Sequence, residues 1–153
     1  MSYHLEVLQH TRQNTLKVVT GLSLEQLTTI PNGFSNHLAW NLGHVIVTLH
    51  RLCYLRAGLP SSLSDEMMDA YKKGSFASQD TTEEEITELK KLALETIDDL
   101  KADLETGKFQ QYEAYQTSYG VHLGSIEEAL TFNNVHEAMH LGYMKALRQQ
   151  VDV

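Results

Sequence analysis

The segment NNVHEAMHLGYMKAL, residues 133–147, decides the class of fold. Ala, Leu, Met, Lys and Glu dominate it, proline is absent and no β-branched alternation appears, so it reads as helix. Upstream, Ser125 and Glu128 stand at capping-box spacing and open that helix near Ile126, and apolar periodicity carries it to about Gln149.

The same punctuation recurs toward the N-terminus. A first helix is expected from about Tyr3 to Thr20, between Ser2 as N-cap and Gly21 as stop. Ser23 and Gln26 form a second capping box, for a short helical turn that ends before Pro31. A second long helix starts near Ser35 or Asn36 and runs to Ala57, where Gly58 and Pro60 close it. A short helix follows from Ser64 to about Lys73. Thr81 and Glu84 then open a third long helix that reaches Thr106 and stops at Gly107. Four long helices without a convincing strand predict an all-α protein, a four-helix bundle forming a single domain over residues 1–153. The connection GKFQQYEAYQTSYGVHLG, residues 107–124, is too long for a tight hairpin, so it must cross the end of the bundle, where such loops often line sites.

Composition narrows the function. The 153 residues carry a formal net charge of −8, which gives no general advantage on a phosphate backbone and argues against nucleic acid as a partner. A single cysteine, Cys53, forms no intrachain disulfide and suits a reducing compartment. The N-terminal MSYHLEVLQHTRQ has no apolar signal core, and no run approaches membrane-spanning length, so a cytoplasmic protein without a membrane partner is expected.

Within the deciding segment, His136 and His140 lie four residues apart and share one helix face. Ala129, Phe132, Tyr143 and Leu147 are read on that face too, so it is expected to be a core-facing stripe containing imidazoles. A bound metal would satisfy both rings, and so would hydrogen bonds across the bundle. The H-E-x-x-H pattern is that of zinc proteases, but the thirteen residues after His140, LGYMKALRQQVDV, hold neither His nor Glu, and Asp152 lies at the end. A di-iron bundle needs a second E-x-x-H on another helix, and Glu137–His140 is the only one. A mononuclear site would draw its third ligand from His37, His44 or His50 of the second long helix. His44 is the best placed, mid-helix after Gly43, because a helical glycine costs about 1 kcal/mol and is understandable where backbones approach closely. Gly142 stands in an analogous place after His140. His37 and His50 are expected nearer the surface, His4 and His10 are solvent-facing or structural, and His122 could reach a site from the crossing loop.

The stretches NHLAWNLGHV, SIEEALTFNNVHEAMHLGYMKAL and TSYGVHLGSIEEAL resemble the DinB-like superfamily of metal-binding four-helix bundles, the damage-inducible and YfiT-like proteins. The resemblance spans essentially the whole chain. It implies that one histidine of the second long helix and an H-x-x-x-H pair of the last helix coordinate a divalent metal; at matching positions these are His44, His136 and His140. It also implies a homodimer. Some similar proteins are thiol S-transferases or isomerases that use bacillithiol, mycothiol or glutathione, while many have no assigned reaction, so membership alone does not fix the chemistry.

Three neutral imidazoles leave an open position on the metal, for which zinc or nickel fits. The first expectation is a metal-dependent transferase acting on a small-molecule substrate with an external low-molecular-weight thiol. The alternatives are a hydrolase using metal-bound water and a non-catalytic metal-binding stress or interaction protein. Cys53, about two and a half turns from His44, is read as a packing residue. Asn41 and Asn133, each three residues before a candidate ligand, are read as holding ligand tautomers or substrate, and Tyr143 as a hydroxyl near the metal. Glu137 is expected to face solvent and Trp40 to belong to the core.

Overall fold

The computed structural model describes residues 2–151 and is built from helices. They are α1 (Ser2–Val19), α2 (Leu24–Thr28), α3 (Leu38–Cys53), α4 (Asp65–Ala70), α5 (Glu83–Glu105) and α6 (Ile126–Val151). The long helices α1, α3, α5 and α6 form the four-helix bundle: α6 packs on α1 and α3, and α5 packs on the same two. Among the described residues no helix is long and apolar enough to cross a membrane.

Capping chemistry sets the boundaries. Both halves of the Ser23–Gln26 box are present, the Gln26 N–H donating to Ser23 Oγ at 3.2 Å and the Ser23 N–H to Gln26 Oε1 at 2.9 Å. The box at Ser125 is modified, because Glu128 reaches past it and accepts the N–H of Gly124 at 2.6 Å. α5 is capped one residue later than expected, by Thr82, whose hydroxyl accepts from the Glu85 N–H, while Thr81 turns inward and is buried. α3 begins later as well, since His37 caps it by accepting the Trp40 N–H on Nδ1. It ends at Cys53 and passes into a 3-10 turn, Leu55–Ala57, closed by Gly58 at φ 69°. The Ser2 side chain, expected as the first cap, and Asp152 lie outside the described residues.

The crossing connection holds a hairpin that no alternation announced. Strand β1 (Tyr115–Gln116) pairs antiparallel with β2 (His122–Leu123), Tyr115 opposite Leu123 and Gln116 opposite His122. Two-residue arms are too short for a period-2 pattern to register in sequence.

α3 is the most enclosed element. All of its residues are buried except Thr48 and Arg51. Leu38, Leu42, Ile46 and Val47 join Val19, Leu89, Met144 and Leu147 in one apolar cluster, and Leu49 and Cys53 join Leu8, Leu100 and Leu130 in another. His37 and His50, expected near the surface, are 0% and 1% exposed. His37 is fixed by its capping role and by Ser78, whose carbonyl lies 2.9 Å from its Nε2. His50 stacks on Tyr54 and meets the Ser61 hydroxyl at 3.1 Å.

Candidate metal centre

α3 presents His44 beside its one open strip, and α6 presents His136 and His140 opposite. One ligand-type nitrogen from each of the three imidazoles lies within 4.8 Å of the others, with His44 Nε2 only 3.3 Å from His136 Nε2.

The other edge of two rings is tied back. His44 Nδ1 lies 2.7 Å from the Tyr71 carbonyl, an acceptor only, so Nδ1 carries the proton and Nε2 keeps its lone pair toward the other rings. That carbonyl is held by the fit of Tyr71: a Cβ at Gly43 would fall 2.4 Å from the Tyr71 ring, so glycine is what lets the ring lie on α3. The Tyr71 hydroxyl donates to Glu85 on α5 at 2.5 Å, which anchors the ring from across the bundle. Trp40 stacks on the His44 ring with centroids 4.6 Å apart, and its indole N–H donates to Ser75 Oγ. Trp40 is thus a core residue, as expected, and also fixes the imidazole plane. His140 Nδ1 lies 2.9 Å from Asn41 Oδ1, and Asn41 is oriented by its amide N–H donating to the His37 carbonyl at 2.9 Å. His136 Nδ1 is buried and has no partner among the described residues.

Burial and mutual proximity hold the rings neutral. His136 is pushed down to about 3, by desolvation first and then by His140, His44 and the Arg12 charge. His140 falls to about 4 through desolvation and His44, and His44 is lowered by burial despite the opposing Tyr71 carbonyl. Neutral imidazoles with their lone pairs turned on one point are the donor set a borderline divalent cation takes, so these residues fit zinc or nickel. The centre lies on the wall of a cleft of about 480 Å³, bounded by α3, the segment after Tyr71, the crossing hairpin and α6.

Of the other residues singled out in the sequence, Asn41 stands at the centre and two stand elsewhere. Asn133 turns its amide N–H to Glu137 Oε1 at 3.0 Å. Tyr143 packs edge-on against Phe34, its hydroxyl accepting the Ser35 N–H, and it does not line the cleft. Cys53 is buried, with its thiol pKa pushed up by desolvation and then by Glu137. His122 and His10 are exposed and His4 is half-buried, none of them lining the cleft.

Glu137 overturns its expectation. It is 0% exposed and receives two hydrogen bonds from the equally buried Arg12, Nε to Oε2 at 2.9 Å and a terminal amino group to Oε1 at 2.5 Å. Arg12 also donates to the carbonyls of Ala93 and Val45. The buried residues of α6 are Ala129, Leu130, Asn133, Glu137, Met144, Leu147 and Val151; Ala129 and Leu147 are buried as expected, while Phe132 and Tyr143 are only half-buried, so His136 and His140 flank the core on the cleft side. A signal was available: Arg12 occupies a core position between Leu8 and Thr15 on α1, and a buried cation calls for a buried anion.

No curated protein matches the chain. The family model for the DinB superfamily matches residues 8–144, a span that includes Arg12, all three converging histidines, the whole of α3 and α6 as far as residue 144. The chain belongs to the DinB superfamily.

Proposed function

We propose that His44, His136 and His140 hold a divalent metal, zinc or nickel, and that the protein is a metal-dependent transferase using a low-molecular-weight thiol on a small-molecule substrate. The observation that carries this reading is the convergence of three neutral imidazoles on the wall of an open cleft rather than in a sealed core. A metal held there would act as a Lewis acid that lowers the pKa of a thiol or water brought to it. The chain's own residues orient the donors: the Tyr71 carbonyl and Asn41 fix the tautomers of His44 and His140, and Trp40 fixes the plane of His44.

The sulfur must come from outside, because Cys53 is fully enclosed. An external thiol is favoured over hydrolysis by the carboxylates. Glu137 is committed to Arg12, and among the described residues the carboxylate lining the cleft, Glu113, faces Arg56 in an exposed ion pair, so no buried base stands ready for water, whereas a thiol, far more acidic, needs one less. A cytoplasmic homodimer belongs to the same proposal.

The test is zinc uptake by stripped, tag-free protein beside His44→Ala, followed by turnover of 1-chloro-2,4-dinitrobenzene with and without glutathione. Uptake of about one ion per chain, lost in the variant, with turnover only when both zinc and thiol are present, is expected. Absence of uptake ends the metal reading, and substrate loss without thiol transfers the case to a hydrolase.

A further inference from the structure

The cleft inverts the charge of the chain. Acidic residues outnumber Lys and Arg 20 to 12 overall, yet among the described residues the cleft is lined by Arg51, Arg56 and Lys73 against a single carboxylate, Glu113. Glu113 answers Arg56 at 3.3 Å, and Arg56 also lies over the Tyr115 ring, 4.4 Å from its centroid. Arg51 and Lys73 make no hydrogen bond or ion pair among the described residues, and both are exposed.

Their placement follows from the elements that carry the metal centre. Arg51 is seven residues beyond His44 on α3, two turns or about 10 Å along the same face. It is one of the two residues that leave this otherwise buried helix, and Thr48, the other, lies between it and His44. Lys73 is two residues beyond Tyr71, whose carbonyl holds His44. Cations at a concave, low-dielectric wall raise the local concentration of anions, and charge-assisted hydrogen bonds then hold them. The cleft also carries apolar surface, with Leu55 41% and Met139 48% exposed beside Phe132.

Resting on the reading of this cleft as the substrate site, we propose that it binds organic anions: Arg51 and Lys73, with Arg56 at the outer end, hold a carboxylate or phosphate whose apolar body lies on Leu55, Phe132 and Met139. The anion anchors the substrate, and its length along α3 sets which atom reaches the histidines.

Calorimetric titration with phenyl phosphate and with benzyl alcohol, an uncharged aromatic of similar size, tests this on protein as purified and after zinc loading. Phenyl phosphate is expected to bind at least about tenfold tighter than the alcohol, with the preference shrinking as salt is raised. The double variant Arg51→Gln, Lys73→Gln should lose the preference while keeping its circular dichroism and its zinc uptake, since both side chains are exposed. Equal affinities in the parent, or a preference the double variant retains, would overturn the proposal. So would phosphate binding that appears only with zinc and ignores the two substitutions, because the ion alone would then hold the anion. Failure of the metal reading is separate: it shows as no zinc uptake in a protein that still distinguishes the two probes.

Discussion

His136 and Glu137 are neighbours on α6, yet they serve opposite kinds of polar cluster. Glu137 faces the bundle interior, where its charge is answered: both carboxylate oxygens accept from Arg12, Asn133 adds a third donor while its own Oδ1 has no partner among the described residues, and Arg12 gives two further N–H groups to carbonyls. His136 faces the cleft, and its cluster is incomplete: one ring nitrogen has no partner and the other meets a nitrogen whose lone pair is already pointed at it. A buried charge answered by its counter-charge within the protein holds helices together. Imidazole nitrogens that converge on the wall of a cleft stand where a cation could join them.

The largest effect is expected from breaking the buried ion pair. Glu137→Ala leaves the Arg12 charge buried and alone, and should cost about 3–5 kcal/mol in denaturant unfolding. Replacing both partners, Arg12→Met with Glu137→Leu, should recover most of that loss. If the single and double replacements cost the same, packing rather than charge explains the cluster.

His50 extends the comparison to a buried imidazole away from the cleft. Burial, with the Arg12 charge second, lowers its pKa from the ordinary 6.5 to about 4. A depressed pKa means that only the unfolded chain takes up the proton between those values. The stabilising contribution is therefore full above 6.5 and is lost as pH falls toward 4. Between about pH 7 and pH 5, His50→Gln should lose about 2 kcal/mol less unfolding free energy than the parent. An identical pH dependence in both would mean that His50 keeps an ordinary basicity in the fold.

The smallest effects separate two glycines that look alike in sequence. A methyl at Gly43 would collide with the Tyr71 ring, so Gly43→Ala should cost about 1–3 kcal/mol. It should also weaken zinc binding by about 10–100-fold, through displacement of the carbonyl on His44. Nothing lies within 4 Å of a Cβ at Gly142, so Gly142→Ala should stabilise the chain by about 0.5–1 kcal/mol and leave zinc binding unchanged. Equal behaviour of the two variants in melting and zinc titration would remove Tyr71 from the account.

The bundle was legible because each long helix carries its own caps and stops, which are local signals. His136 and His140 were legible as a pair because their spacing alone puts them on one side of α6. The orientation of Glu137 was not. Two polar members, Asn133 and Glu137, interrupt the apolar stripe of that helix and hide its phase, and the partner that explains them lies 125 residues away. Gly43 and Gly142 failed for a related reason. Close approach depends on what stands opposite a helix, and at Gly43 that is a side chain from α4's C-terminal end rather than another helix backbone. The roles of Tyr71 and of the crossing hairpin are likewise tertiary, so no window along the chain contains them.

Trp40 is the chain's only tryptophan, and its indole lies flat against His44. The tryptophan fluorescence of this protein therefore arises from a single ring stacked on a candidate ligand. A change in charge or occupancy at that imidazole alters the excited state beside it, so emission from the unlabelled protein follows the centre directly. The stacking that steadies the histidine makes it optically visible as well.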